Sequence, residues 1–133
     1  MARYCIAAGA LLTMLAVVAG ALGAHALQAI LDEQQREWYE KAVFYQFIHS
    51  LGLIGIGCAS TIIGPSRTLL ASAVTMALGI GAFSGTLYLL AVTSLRWVSV
   101  VAPIGGVAHI IAWLLLGAAA LREPTNRKGT YPS

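Results

Sequence analysis

Few residues in this chain have side chains suited to acid–base, ligand or hydrogen-bond chemistry. They are His25, Tyr45, Gln46, His49, Ser84, Thr86, Tyr88 and His109, each inside a long apolar stretch. Trp38, Ala42, Tyr45 and His49 follow one another at helical spacing, so they share one face of a helix, with Gln46 beside them. Imidazole can relay a proton or ligate a metal near neutral pH, which makes a histidine in an apolar segment a functional candidate. A neutral imidazole can equally tie helices together, and for His25 and His49 that structural role ranks first. Proton or solute traffic ranks second and haem or metal ligation third.

Haem held by two histidines needs them at one depth on facing helices. His25 lies near the end of its apolar run and His49 well inside its own, an offset of about 7 Å at the helical rise. There is no HExxH or CxxC pattern and no carboxylate near the histidines in sequence, so no metal site and no cofactor is expected. His109 reads as a satisfied core residue, with Trp113 one helical turn beyond it as packing. Ser50, Ser84 and Ser99 have no acid–base partner at readable spacing, and an intramembrane hydrolase is the least favoured reading.

The elements that must position these groups are four runs, Tyr4–Leu27, Ala42–Ile63, Thr68–Thr93 and Val98–Leu121, that contain no Asp, Glu, Lys or Arg. A helix rises about 1.5 Å per residue and a bilayer core is about 30 Å thick, so each run is long enough to span. The expected fold is therefore an all-α integral membrane protein with four transmembrane helices in a compact antiparallel bundle. One membrane domain covers residues 1–133, with residues 123–133 as a loose polar tail. The apolar opening run followed by Ala24-His25-Ala26 imitates a cleavable secretory signal, but a signal's apolar region is roughly 7–15 residues and this run is longer.

The net charge of +3 sits at helix ends, where it orients the protein and meets lipid head groups, so nucleic acid is not an expected partner. With four spans both termini share a side. Arg3, Arg67, Arg122, Arg127 and Lys128 lie there against Arg36, Lys41 and Arg96 opposite, which points to both termini in the cytoplasm. Cys5 and Cys58 fall near that same reducing face, so both read as free thiols and small fillers.

The connection Gln28–Lys41 looks helical: Asp32 can cap with Gln35, and Asp32/Arg36 and Glu37/Lys41 are spaced to pair. The second helix is thus expected to start outside the membrane, with Trp38 and Tyr39 as interface anchors and Trp97 level with them. Pro103 either kinks the last helix or begins it, and beginning it is preferred, which leaves Leu95–Ala102 as an interfacial elbow. Ala16/Gly20/Ala24, Gly55/Ala59, Gly81/Gly85 and Ala102/Gly106 recur at the spacing that lets helix backbones approach in lipid.

In order, Gly20-Ala21-Leu22-Gly23-Ala24-His25-Ala26-Leu27, then Trp38, Ala42, Tyr45-Gln46 and His49, then Phe83-Ser84-Gly85-Thr86-Leu87-Tyr88-Leu89, then Pro103-Ile104-Gly105-Gly106 with Trp113, resemble the domain-of-unknown-function family 423, related to transmembrane protein 256. The resemblance covers all four spans. It implies a small four-span protein, inner-membrane in bacteria, from a family whose biochemical activity is not established. The positions it carries over are His25, Trp38, Tyr45, Gln46, His49, Ser84 and Tyr88. The chain departs from the pattern at Ala102, where Thr is expected, at His109, where an aromatic or aliphatic residue is expected, and at Ala112, where Gly is expected.

The functional expectation is a non-enzymatic protein of the inner or plasma membrane, an accessory or stabilising component of a membrane assembly. Its partners would be membrane lipid and a membrane protein or further copies of the chain. The alternative is a small-solute or proton pathway around a His25/His49 polar cluster that includes Tyr45, Gln46, Ser84 and Tyr88. The cation count generates a direct prediction of orientation: an active periplasmic reporter fused within Asp32–Glu37, and an inactive one at Ser133. The reverse pattern of activities would overturn the orientation.

Overall fold

The computed structural model describes residues 1–93 and 95–122. The expected polar tail over 123–133 lies outside the described residues. Four helices follow one another: α1 Ala2–His25, α2 Glu33–Ile62, α3 Arg67–Thr93 and, after a 3-10 turn over Arg96–Val100, α4 Val101–Leu121. All four are long and apolar enough to cross a membrane. At the helical rise, the 30 residues of α2 extend about 45 Å, beyond what the hydrocarbon needs.

The helix ends obey local rules. Asp32 accepts from the Gln35 amide at 2.7 Å while the Gln35 side chain accepts from the Asp32 amide at 3.0 Å, a complete capping box that starts α2. Lys41 pairs with Glu37 at 2.6 Å, as the spacing predicts. Arg36 does not turn to Asp32 and instead donates to the Gln28 carbonyl at 3.4 Å. At the other end of α2, Gly64 takes φ 87°, a left-handed conformation that ends a helix at little cost only without a Cβ. Pro65 follows, and the Ser66 hydroxyl accepts from the Leu69 amide at 3.1 Å to begin α3.

Pro103 sits in the first turn of α4, where an amide proton would have no helical acceptor in any case, so the ring costs no hydrogen bond. The helix starts at Val101 rather than at Pro103, and the elbow before it is the 3-10 turn. Trp97 on that turn is exposed and Trp38 is half-buried, but Tyr39 departs from the expected anchor role. Its ring is buried and its hydroxyl donates to the Ala19 carbonyl on α1 at 2.7 Å.

The helices pack mainly in chain order, α1 on α2, α2 on α3 and α3 on α4, with α4 also touching α2. The main core joins Leu53 and Ile56 of α2, Leu69 and Met76 of α3, Ala112 and Ala119 of α4, and Cys5 of α1. Cys5 is buried, Cys58 is exposed, and both are free thiols. Side-chain bonds add to the seams: Ser72 donates to the Ala112 carbonyl at 2.7 Å, and Arg122 to the Thr68 hydroxyl at 2.9 Å.

Close backbone approach occurs at different glycines from those the spacing singled out. A Cβ on Gly105 would collide with the Phe83 backbone at its amide nitrogen, and one on Gly9 would lie 2.7 Å from the Ser50 carbonyl oxygen. Gly55, Gly81 and Gly85 face open space, although Ala16 is fully buried. Repeated spacing marks a face but does not say which face meets a neighbour. We predict that Gly105→Ala forces α3 and α4 apart and destabilises the protein by about 1–3 kcal/mol. Gly81→Ala should be neutral or stabilising by up to about 1 kcal/mol. Thermal unfolding in detergent checks both, and equal effects would contradict the packing.

Candidate functional site

The stripe on α2 faces the bundle as its spacing predicts, and Gln46 is its hub. The Gln46 amide donates to the Leu12 carbonyl of α1 at 2.9 Å and accepts from the Tyr88 hydroxyl of α3 at 2.9 Å. The Gln46 backbone carbonyl also accepts from Ser50 at 2.6 Å. One side chain thus bonds α2 to both of its neighbours, using a donor and an acceptor that would each be costly to leave unpaired in lipid. Tyr88 packs edge-on to Tyr39 with ring centroids 5.3 Å apart, extending the tie to the Tyr39–Ala19 bond.

One turn deeper, the structure assembles a pair of histidines that differs from the expected one. His49 stacks on His109 of α4, ring centroids 3.4 Å apart and planes 13° from parallel. Tyr45 continues the stack, 5.7 Å from His49 and 14° from parallel, and Trp113 lies tilted 6.2 Å from His49. Phe83 closes the other side, 4.5 Å from Tyr45. His49 Nδ1 lies 2.7 Å from the Tyr45 carbonyl, which can only accept, so Nδ1 carries a proton and donates. Gly79 provides the slot on α3: a Cβ there would lie 2.5 Å from His109 Cδ2.

His25 does not join this cluster. It is exposed in the last turn of α1. The expectation of a satisfied His109 also needs correction. The side chain is 3% exposed, yet neither ring nitrogen has a hydrogen-bond partner in the protein, and the Ser84 hydroxyl, 1% exposed, has none either. Ser84 is therefore buried as expected but bonded to neither histidine.

The near-parallel rings keep their in-plane nitrogen lone pairs in two stacked planes that do not converge on one point, an arrangement unlike a chelate. Among the described residues, no three His, Cys, Asp or Glu side chains come together as metal ligands. What the arrangement does chemically is hold two imidazoles and a phenol of α2 and α4 in one stack, with the Trp113 indole tilted against it and Phe83 and Gly79 of α3 at its side.

Sequence counting contained a signal for this pair. Counted from the Pro103 start expected for the last helix, His109 lies six residues in, against seven for His49 in its own run, which puts the two within about 2 Å of one depth at the helical rise. His25 is offset from both.

Residues 19–106 match the family model described as "Protein of unknown function (DUF423)". The chain belongs to this family. The DUF423 match takes in His25, Tyr45, Gln46, His49, Ser84 and Tyr88 but ends before His109. Among relatives, a UPF0382 membrane protein of Staphylococcus haemolyticus is 44% identical over 108 residues, covering 81% of this chain and 87% of that protein. The UPF0382 inner membrane protein YgdD of Escherichia coli K12 is 34% identical over 127 residues, covering 96% and 95%. YwdK of Bacillus subtilis, also named a UPF0382 membrane protein, is 33% identical and covers 86% and 93%. No solved structure matches the chain.

The ring geometry generates a double-mutant prediction. His49→Ala and His109→Ala should be coupled by about 0.5–1.5 kcal/mol, the range for stacked aromatic pairs. His25→Ala and His49→Ala should add within about 0.5 kcal/mol. Thermal unfolding of the single and double variants in detergent measures both couplings. An additive His49/His109 pair would mean that the stack contributes nothing as a unit.

Proposed function

We propose that this DUF423 protein is a non-enzymatic integral component of the bacterial inner membrane that acts by helix packing, as an accessory or stabilising subunit of a membrane assembly. Both termini would face the cytoplasm, from the cation count above. The observation that carries the reading is how the buried polar groups are used. Gln46, Tyr88, Ser50 and Ser72 are each bonded to a neighbouring helix or a backbone carbonyl, the pattern of a scaffold held rigid rather than of a lined passage. Among the described residues the connections over 26–32 and 63–66 are short, and they leave little chain outside the helices to shape a soluble active site.

A second reading, a proton or small-solute pathway, draws on the unbonded nitrogens of His109 and the unbonded Ser84 hydroxyl in the middle of the bundle. It is placed second because polar groups at successive depths are needed, and those nearby are already paired. Purification in mild detergent, with mass spectrometry of what accompanies the protein, tests the first reading. A stoichiometric membrane-protein partner is expected, while a lone monomer or homo-oligomer favours the pathway. Vesicles containing the purified protein should pass protons no faster than empty ones. Flux that disappears in His109→Ala would overturn the accessory role.

A further inference from the structure

The seam between α1 and α2 opens into a groove of about 480 Å³ at the end of the bundle opposite the termini. Its α1 wall is low, because Gly20, Gly23 and Ala24 follow one another at helical spacing with no side chain larger than a methyl. Tyr39 takes up the space at Gly23, where a Cβ would lie 2.6 Å from its ring, whereas a Cβ on Gly20 would meet only Val43, at 3.4 Å. The α2 wall is one exposed helical stripe, Arg36, Glu40, Phe44 and Phe47, at spacings of four, four and three residues. From the membrane surface inward that stripe runs cation, anion, aromatic, aromatic. At the helical rise Arg36 lies about 6 Å outside Glu40, and Phe44 about 6 Å inside it.

Arg36 and Glu40 stand at the spacing of a helical ion pair but do not form one. The Arg36 guanidinium donates to the Gln28 carbonyl at 3.4 Å, across the mouth of the groove, and Glu40 has no ion-pair or hydrogen-bond partner among the described residues. A cation and an anion thus stand unpaired with each other above an apolar trough, and their order selects the occupant. A phosphatidyl zwitterion carries its ammonium outside its phosphate and presents both charges at the wrong depths. A simple anion leaves Glu40 unanswered, and a simple cation or a neutral molecule leaves Arg36 unanswered. What fits is a zwitterion whose carboxylate can lie outermost, whose ammonium lies beneath it and whose apolar part continues inward.

We propose that this groove binds a free α-amino acid with a large apolar side chain, of the leucine or phenylalanine type. An α-amino acid carries its carboxylate, ammonium and side chain on one carbon, so the three can face three different groups at once. The carboxylate meets the Arg36 guanidinium, the ammonium meets the Glu40 carboxylate, and the side chain lies over Gly20 against Val43 and Phe44, with Phe47 beneath. The site lies where the charged start of α2 meets the membrane surface, so the ligand reaches it from water and need not cross the bundle. It concerns the chain alone and is independent of the accessory role.

Scintillation-proximity binding of tritiated L-leucine to the purified full-length protein in detergent tests this, with unlabelled competitors that each lack one contact. Leucinamide lacks the carboxylate, N-acetylleucine lacks the ammonium, and alanine lacks the apolar bulk. Each should compete about tenfold more weakly than leucine, the effect of one charge-assisted hydrogen bond or of a few buried methylene groups. Arg36→Gln should weaken leucine about tenfold and erase its advantage over leucinamide, and Glu40→Gln should weaken it about tenfold and erase its advantage over N-acetylleucine. Phe44→Ala should narrow the advantage over alanine. All three side chains are exposed, so the variants leave the bundle's core and seams untouched. Absence of saturable leucine binding, equal competition by leucine, leucinamide and N-acetylleucine, or preferences that survive in Arg36→Gln and Glu40→Gln would each overturn the proposal.

Discussion

Lipid offers neither donor nor acceptor, so a polar atom between the two ends of this protein is costly unless it finds a partner inside the chain. The helices satisfy the backbone, and the polar side chains then have to satisfy one another. Gln46 is where that constraint concentrates. It is buried, it carries both a donor and an acceptor, and both are matched, one on α1 and one on α3. A residue that can be satisfied only when three helices are correctly placed makes misplacement costly, which gives a largely apolar bundle a defined arrangement. The hydrophobic effect cannot do this in lipid, where one apolar helix face suits the solvent as well as another.

The second constraint is steric. Helices held by dispersion must come close, and they do so where side chains are missing: Gly9 under Ser50, Gly105 under Phe83 and Gly79 under His109. The last of these links packing to the candidate site. Without the slot at Gly79, His109 has no room on the α3 side, and the imidazole stack against His49 does not form. The hub of the framework, Gln46, lies within the region that matches the family model, and His109 lies after it.

Much of the architecture was legible from the residues alone. Apolar run length determined four spans, because the bilayer thickness sets how many residues a helix needs. Local chemistry determined the start of α2, since a capping box involves only Asp32 and Gln35. The Pro103 ring restricted where α4 can begin, because its missing amide proton is harmless only in a first turn. The family was also legible, since four ordered blocks of residues carry it.

What only the tertiary structure decided is which neighbour each face meets. The spacing put Tyr45, Gln46 and His49 on one stripe, but chain order did not say that α4 folds back onto α2, and so His109 rather than His25 became the partner of His49. Tyr39 had the composition of an interface anchor until the gap at Gly23 admitted its ring. Gly81 and Gly85 had the spacing of a contact face and met nothing, while Gly9 and Gly105 carry the closest approaches. Periodicity is a property of one helix and contact is a property of two. The relative rotation of the helices is fixed by all their seams together, so no single segment contains it.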